Sequence, residues 1–384
     1  MSKRTVMFLA VLAFLAFTSQ AQAPANAAAA SILVSPEIHP DRTITFRYRA
    51  PDAKEVSLTG KLAGTGKKIP LTKGSDGVWT VTVGPVAPEI YGYRFDVDGV
   101  SENDPSNPAM QMAYGNCQVE VPVASGDGLA FYDAKQVPHG TVRIETYYST
   151  SIKATRDLWM YTPPGYDASN DRYPVLYLLH GGGNEESSWM RSGRENYIMD
   201  NLIADGKAKP MIIATPLGYA RPGLNMGPET GIGRGPSGNE QTSLIQQDLL
   251  SDVMPFVEKN FRTLNDPDHR AIGGLSMGAA QSIAIGFMHL NLFHNIILMS
   301  NGVEKADQTY PDFFNNPAAT NKTLKVFWLG VGSEDPLVGE RVRALEATLK
   351  AKGINHDYFV VPGAVHEWLV WRTGLYETAP KLWR

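Results

Sequence analysis

Ser276, which lies between glycines in the stretch GLSMG at residues 274–278, is the side chain of this sequence best placed to do chemistry. The pattern G-x-S-x-G is typical of a nucleophile elbow, a strained strand-to-helix turn that lifts a serine hydroxyl above a sheet edge. Glycines are needed two residues before and after the serine because the turn leaves no room for side chains there. The alternative is a glycine-rich loop with an ordinary serine. The flanks favour the elbow, since residues 269–273 predict a short strand and residues 279–290 predict a helix with apolar positions.

A serine nucleophile needs a base and an orienting acid, which follow it in this arrangement in the order Asp or Glu, then His. Asp335 lies on the loop after an apolar strand predicted at residues 324–331, with Glu334 beside it and Asp307 farther away as competing acids. Of the eight histidines, only His366 lies downstream of the serine on a loop after a strand. Imidazole would take the serine proton, and a buried carboxylate would fix its tautomer and stabilise imidazolium.

A set of N–H donors must also face the oxyanion that forms in acyl transfer. One is the backbone N–H of Met277, and a second is expected from an earlier loop after a strand. The apolar run at residues 175–179 ends in the sequence HGGG at residues 180–183, where Gly182 is the favoured donor and Gly181 and Gly183 remain open. His180 could instead bind a metal, but no His, Cys or Asp lies near it at ligand spacing, so no metal site is predicted.

Residues 140–384 resemble carbohydrate esterase family 1, the group that includes feruloyl esterases, acetylxylan esterases and the related esterase D. The matching segments are the HGGG loop, the elbow, and the sequences YTPPGY at residues 161–166, QDLL at 247–250 and GAVHEW at 363–368. The resemblance implies an α/β-hydrolase fold and a cofactor-independent serine esterase that acts on acylated plant polysaccharide. It assigns catalysis to three residues and the oxyanion hole to two: Ser276, His366 and Asp335, and Met277 and Gly182.

Aromatic residues near this machinery are candidates for substrate binding. Trp189 and Trp368 lie close in sequence to the HGGG loop and to His366, so either could flank a flat aromatic acyl group or serve only in packing. Residues 218–241 contain six internal glycines and predict an irregular loop at the substrate mouth, with Arg221, Asn225 and Arg234 as possible contacts to sugar hydroxyls.

The front of the chain has the pattern of an export signal. Residues 1–27 carry Lys3 and Arg4, an apolar run of about a dozen residues and then small residues, which predicts a secretory signal peptide rather than a membrane span. We therefore expect a protein that is exported to the periplasm or secreted, without a membrane anchor. The single cysteine, Cys117, predicts that the protein has no internal disulfide.

Residues 31–123 predict a small β-sandwich, because short alternating runs recur between Gly, Pro and Asp turns. The stretch resembles the immunoglobulin-like module at the front of glycogen- and starch-branching enzymes and of some feruloyl esterases. Trp79, YGYRF at residues 91–95 and DPSNP at 104–108 carry the resemblance, with Trp79 and Tyr93 either packed in the core or stacked on sugar. Residues 124–139 are expected to form a linker short enough to keep the module docked on the esterase domain.

Charge excludes some partners. A net charge of −4 without a basic run argues against nucleic acid or an anionic membrane. The function most expected is removal of feruloyl groups from a plant cell-wall polysaccharide such as arabinoxylan, with acetylxylan esterase as the alternative. A siderophore-ester hydrolase, a mycolyl-type acyltransferase and a non-catalytic carbohydrate-binding protein remain further alternatives, and the oligomeric state is left open.

Overall fold

The structure is a computed structural model, which describes residues 33–64, 66–111, 115–123, 129–220 and 238–384. The predicted signal peptide at residues 1–27 lies outside the described residues. So do residues 124–128 of the predicted linker and residues 221–237 of the glycine-rich stretch, with its three candidate sugar contacts.

The N-terminal module consists of two antiparallel sheets. The first has the strand order β1-β2-β6-β5, and the second has the order β4-β3-β7-β10-β9, with β8 beside β7. The strands are β1 Glu37–Ile38, β2 Ile44–Arg49, β3 Val56–Gly60, β4 Ile69–Pro70, β5 Thr72–Lys73, β6 Val78–Val83, β7 Glu89–Val97, β8 Val100–Glu102, β9 Met110–Gln111 and β10 Asn116–Val121. This is the predicted all-β module.

Aromatic side chains fill the core between these two sheets. Tyr93 is fully buried and its hydroxyl donates to Asp104 Oδ2 at 2.8 Å. Trp79 is 7% exposed and its indole N–H donates to the carbonyl of Ala50. An aromatic ring must be exposed to stack on a sugar, so both residues are core residues and the stacking role considered for them is wrong. Cys117 is buried in the same core as a free thiol.

The second domain is built on one mixed sheet of eight strands, in the order β11-β12-β14-β13-β15-β16-β17-β18. The first three strands pair antiparallel, and the pairs from β14 to β18 are parallel. The strands are β11 Thr141–Ser149, β12 Ala154–Thr162, β13 Val175–Leu179, β14 Ile212–Pro216, β15 Arg270–Leu275, β16 Asn295–Met299, β17 Val326–Gly332 and β18 Asp357–Val361.

Helices lie between the strands and cover the sheet. They are α1 Ser188–Arg191, α2 Glu195–Ala204, α3 Gly238–Asp248, α4 Met254–Asn260, α5 Met277–Met288, α6 Ala306–Thr309, α7 Pro311–Phe314, α8 Pro317–Thr323, α9 Gly339–Ala351 and α10 Trp368–Thr378. A π-helical turn, Leu249–Val253, joins α3 to α4, and short 3₁₀ turns occupy Tyr166–Ala168, Pro267–His269 and Ala379–Lys381. This sheet order, with helices between parallel strands, is the predicted α/β-hydrolase architecture.

The predicted elements around the elbow are present with small shifts. The helix after Ser276 begins at Met277, two residues before the predicted start, and β15 begins at Arg270 after a 3₁₀ turn. The prediction that residues 218–241 lack regular structure is wrong for residues 238–241, because α3 begins at Gly238. Every residue of β13, β15 and β16 is buried, as expected for central strands covered on both faces.

The module docks on the esterase domain. The described linker residues 129–139 pack on that domain, where Phe131 lies against Tyr376 and Asn201 Nδ2 donates to the carbonyls of Phe131 and Asp133. Ion pairs cross the interface between the following partners: Lys61 and Glu367, Glu120 and Arg194, and Glu89 and Arg372. The expected close docking is therefore seen. Among the described residues, no helix is both long and apolar enough to cross a bilayer.

Candidate active site

Ser276 sits at the junction of β15 and α5 in a strained backbone conformation. Its φ of 50° and ψ of −114° lie outside the regions that non-glycine residues usually adopt. A Cβ at Gly274 would lie 2.6 Å from the backbone of Gly278, and one at Gly278 would lie 2.5 Å from the carbonyl oxygen of Leu179. Only glycine fits at either position, which is the reason for the G-x-S-x-G spacing.

The structure brings the serine, the histidine and the acid together in one hydrogen-bonded chain. The Ser276 Oγ to His366 Nε2 distance is 2.9 Å, and His366 Nδ1 lies 2.8 Å from Asp335 Oδ2. The two competing acids have other environments: the side chain of Glu334 is exposed, and Asp307 forms an ion pair with Lys352. The three side chains come from loops at the carboxyl ends of three strands of the parallel part of the sheet, β15, β17 and β18, and they therefore meet at one edge.

Asp335 is held as a carboxylate by its surroundings. Burial would raise its pKa, but hydrogen bonding and charge from His366, together with backbone N–H groups of Val338 and Leu337, outweigh burial and lower the pKa. Those N–H groups donate to Asp335 Oδ1 at 3.1 and 3.0 Å, while Oδ2 faces the imidazole. An ionised Asp335 requires a proton on His366 Nδ1, so Nε2 is free to accept from the serine hydroxyl.

Residues after β16 support the elbow and the histidine, and sequence reasoning did not identify them. Asn301 Nδ2 donates to the carbonyl of Ser276 at 2.9 Å. Ser300, with a φ of 53°, accepts from the indole N–H of Trp371, whose ring lies edge-on to His366 at 5.2 Å. Both residues follow β16, the strand next to β15. This position is the signal that could have identified them, because neighbouring parallel strands end at the same edge of a sheet.

The HGGG loop lies directly beside Ser276. A Cβ on Gly181 would be 3.2 Å from the Cβ of Ser276. Gly183 donates its backbone N–H to the hydroxyl of Tyr219 at 2.6 Å. Tyr219 is a further site residue that the sequence did not indicate, since it lies in an irregular segment without a motif.

The side chain of His180 links this loop to Gly218 through hydrogen bonds. It is buried, with Nδ1 2.9 Å from the carbonyl of Gly181 and Nε2 accepting the N–H of Gly218 at 2.8 Å. Both ring nitrogens therefore have protein partners. Within the part of the chain that the structure describes, no cluster of three or more His, Cys, Asp or Glu residues has the geometry to hold a metal ion.

The predicted oxyanion donors belong to the start of α5 and to the HGGG loop. Met277 is the first residue of α5, so its N–H belongs to the helix turn that has no intrahelical acceptors. Gly182 follows Gly181 in the loop beside Ser276, and a Cβ added to it would meet nothing within 4 Å. The backbone at Gly182 therefore borders open space, which leaves room for a substrate group.

The two tryptophans have different environments. Trp189 is fully buried on α1, and its indole N–H donates to the carbonyl of Leu179 at 3.1 Å. It cannot flank a bound acyl group, and that expectation is wrong because α1 turns this side chain into the core. Trp368 is partly exposed and packs between Trp189 and Trp371, with ring centroids 5.5 and 5.1 Å away.

A comparison with known protein families matches both parts of the chain. Residues 149–382, more than half of the sequence, match the Esterase family model. The chain belongs to the esterase family. Residues 35–108 of this esterase-family protein match carbohydrate-binding module 48, the isoamylase N-terminal domain.

Individual relatives match the chain over different shares of its length. The chain is 33% identical over 359 residues to an endo-1,4-beta-xylanase/feruloyl esterase from Xylanibacter ruminicola, a match that covers 91% of this chain and 46% of the relative. The chain thus spans about half the length of that curated relative. A ferulic acid esterase structure from Anaeromyces mucronatus is 26% identical with a TM-score of 0.53, covering 65% of this chain and 92% of that one.

A match to an enterobactin esterase extends over both domains. The Shigella flexneri enzyme has a TM-score of 0.63 and covers 89% of this chain and 92% of its own. At 17% identity, this likeness shows the fold alone. The fold of the chain is therefore shared over both of its domains with one solved structure.

Proposed function

We propose that this protein is a serine carboxylic-ester hydrolase that removes feruloyl groups from plant cell-wall polysaccharide. The observation that carries the proposal is the hydrogen-bonded chain from Ser276 through His366 to Asp335, with distances of 2.9 and 2.8 Å. Membership of the esterase family and the relative named as a xylanase and feruloyl esterase support it.

The proposed reaction proceeds through an acyl-enzyme. Ser276 Oγ attacks the ester carbonyl while its proton passes to His366 Nε2, and imidazolium is stabilised by the ionised Asp335. The tetrahedral intermediate collapses, the bond to the sugar oxygen breaks, and that oxygen takes the proton from His366. Water then attacks the acyl-enzyme with His366 as base, which frees the acid and restores the Ser276 hydroxyl.

We assign stabilisation of the oxyanion to the backbone N–H groups of Met277 and Gly182. The Met277 N–H lies at the positive end of the α5 dipole, next to the carbon that is attacked. Gly182 contributes from the adjacent loop, where a missing side chain lets substrate approach the backbone. Each such donor is worth about 3–4 kcal/mol in the transition state.

Acetylxylan esterase is the second candidate, and one observation favours it. Trp189 is buried, so only Trp368 remains of the two tryptophans that could flank a flat acyl group. A site with fewer aromatic walls fits a small acetyl group as well as a phenolic one.

Two rates measured on the purified protein separate these candidates. We expect methyl ferulate to be hydrolysed faster than an acetylated xylo-oligosaccharide, and we expect Ser276→Ala to lower both rates by about 10⁴-fold or more. Acetate release alone would select the acetylxylan esterase. Failure of the protein to hydrolyse any aryl or acetyl ester would overturn the proposed activity.

We also propose that the mature protein acts outside the cytoplasm. The basic start, apolar run and small residues of residues 1–27 support export. N-terminal sequencing of protein recovered from the periplasm or medium tests this, because a chain that still begins at Met1 would contradict it. Its partner would be an acylated polysaccharide such as arabinoxylan.

A further inference from the structure

An arginine of β12 is buried beside the loop that follows β14. Arg156 is 2% exposed and forms an ion pair with the buried Asp248, whose Oδ2 lies 3.6 Å from the arginine Nε. The same carboxylate oxygen accepts from the hydroxyl of Tyr147 at 2.8 Å. A buried ion pair is often no more stabilising than well-packed apolar residues, so stability alone does not explain this arginine.

The guanidinium of Arg156 binds the backbone of residues 217–220, the loop after β14. Nη1 donates to the carbonyl of Tyr219 at 2.9 Å, and Nη2 donates to the carbonyl of Leu217. The antiparallel register, which pairs Leu158 with Pro216, brings Arg156 alongside this loop. A planar fork of donors can hold both carbonyls at once.

The loop of residues 217–220 depends on such side-chain contacts for its position. It forms neither strand nor helix, although three of its four residues are buried. Its backbone polar groups must therefore find partners other than a ladder of backbone bonds. The two carbonyls bound by Arg156 are half of the four carbonyls that the loop contains.

On one side, this loop holds the HGGG loop. The hydroxyl of Tyr219 accepts the N–H of Gly183 at 2.6 Å, and Gly183 is the neighbour of the proposed oxyanion donor Gly182. The N–H of Gly218 donates to Nε2 of His180, the first residue of the HGGG loop, at 2.8 Å. A shift of the β14 loop would therefore shift Gly182.

On its other side, the same loop contacts α5. Gln281 Nε2, from the second turn of that helix, donates to the carbonyl of Gly218 at 2.8 Å. A Cβ at Gly218 would lie 3.4 Å from Cε of Met277, the residue that carries the other proposed oxyanion donor. The loop therefore connects the two segments whose N–H groups are assigned to the oxyanion.

We propose that Arg156 is a positioning residue of the oxyanion hole, which fixes the loop of residues 217–220 between the HGGG loop and α5. The donors stabilise an oxyanion only when they lie about 2.7–3.1 Å from it, so a displaced Gly182 loses most of its effect. The proposal rests on the ester hydrolysis proposed above. It does not depend on the acyl group, because every carboxylic ester forms the same oxyanion.

Replacement of the fork by a single charge tests this role. Arg156→Lys keeps the cation beside Asp248 but cannot hold two carbonyls in the geometry of a guanidinium. We expect kcat for methyl ferulate and for 4-nitrophenyl acetate to fall by about 10–100-fold, while KM for methyl ferulate changes less than twofold. A rise in KM at unchanged kcat would overturn the positioning role.

The matched control is an arginine with similar contacts at the other end of the sheet. Arg270 is 8% exposed, pairs with Glu258 and donates to the carbonyl of Asn265 at 2.8 Å, at the start of β15. Arg270→Lys is expected to lower the urea midpoint of unfolding as Arg156→Lys does, but to keep kcat within twofold of the parent. Equal losses of kcat in the two variants would show that any weakened buried arginine impairs the enzyme, and would overturn the proposal.

A double variant separates positioning from the buried charge. Arg156→Met/Asp248→Asn removes both charges together, which avoids an unpaired buried ion, and leaves Tyr147 an acceptor in the amide oxygen. We expect its unfolding midpoint to lie closer to that of the parent than that of Arg156→Met alone, and its kcat to fall as far as in Arg156→Lys. A double variant with the kcat of the parent would overturn the proposal.

A tetrahedral inhibitor reports on the oxyanion hole directly. An arylboronic acid forms an adduct with a catalytic serine that resembles the tetrahedral intermediate, whereas ferulate binds as product. In Arg156→Lys, the inhibition constant of 4-hydroxy-3-methoxyphenylboronic acid is expected to rise by about the factor by which kcat falls, and the dissociation constant of ferulate by less than twofold. Equal weakening of the two ligands would contradict the assignment.

The parent protein and Ser276→Ala keep the two proposals distinguishable. Hydrolysis of either ester by the parent, lost with Ser276→Ala, establishes the proposed activity whatever the Arg156 variants do. With that activity present, an Arg156→Lys protein that is folded and as active as the parent would overturn the positioning role alone. A parent that hydrolyses neither ester would overturn both proposals.

Discussion

At the scale of single residues, the acid of the proposed triad can be tested against its neighbour. Asp335 contacts the imidazole and Glu334, the next residue upstream, is exposed. Asp335→Asn is expected to lower kcat by about 10⁴-fold, because an amide favours the wrong tautomer of His366 while the geometry is kept. Glu334→Gln is the control and should retain the parent rate of methyl ferulate hydrolysis. Similar losses from the two changes would argue against Asp335 as the orienting acid.

A buried glutamate makes the stability of the fold depend on pH. Glu195 is fully buried, and both of its carboxylate oxygens lack a partner among the described residues. Burial raises its pKa from 4.5 to about 8. Between these two values the unfolded chain loses the proton while the folded chain keeps it, so the stability contributed by Glu195 is fully present below pH 4.5 and is lost as pH rises towards 8.

Glu195→Gln removes this titration and keeps the shape of the side chain. We expect the free energy of unfolding to fall less between pH 5 and pH 8 in Glu195→Gln than in the parent, by about 1.4 kcal/mol per pH unit. Urea unfolding at both pH values measures the difference. Glu240→Gln changes an exposed glutamate and should follow the parent slope. Identical slopes for Glu195→Gln and the parent would contradict the prediction.

At the scale of elements, the HGGG loop is held by a contact from a distant segment. Gly183 donates to the hydroxyl of Tyr219, which lies 36 residues later in the chain. Tyr219→Phe leaves the N–H without this acceptor, so we expect kcat to fall about tenfold and KM to change less, as the neighbouring Gly182 loses its fixed position. Tyr148→Phe, at a tyrosine that is 59% exposed, is the control. A change confined to KM would contradict a positioning role.

The difference between what the sequence predicted and what it missed follows from the range of the interactions. The elbow was predictable because the turn excludes side chains at Gly274 and Gly278, and these two positions lie within five residues of chain. The closeness of Asp335 and His366 to Ser276 was predictable because strand order places successive loops at one sheet edge. The contact between Tyr219 and Gly183 leaves no local pattern, so only the folded chain reveals it. Trp189 was misassigned because closeness in sequence to a loop does not fix the side to which a short helix turns its residues.

The whole molecule depends on contacts between residues that are far apart in the sequence. Glu89 and Arg372 are separated by 283 residues, and their side chains are 4% and 1% exposed. Arg372 also donates to the carbonyl of Ser192 and lies over the ring of Tyr132. The pair therefore joins the module, the linker and α10, the helix that directly follows the His366 loop. No spacing rule in the sequence predicts such a pair.

Removal of one partner of this buried pair should destabilise the whole chain. Arg372→Met keeps the side chain apolar and extended but leaves the Glu89 carboxylate buried without its cation, so we expect a loss of about 3–5 kcal/mol in the free energy of unfolding. The double variant Arg372→Met/Glu89→Leu should recover most of that loss, because replacing both partners of a buried pair by apolar residues is often neutral.

Lys207→Met is the control, because it breaks the exposed pair with Asp205 and should cost less than about 1 kcal/mol. Urea unfolding of the four proteins measures these differences, and a double variant as unstable as Arg372→Met would show that packing of the arginine, rather than its charge, holds the two domains together.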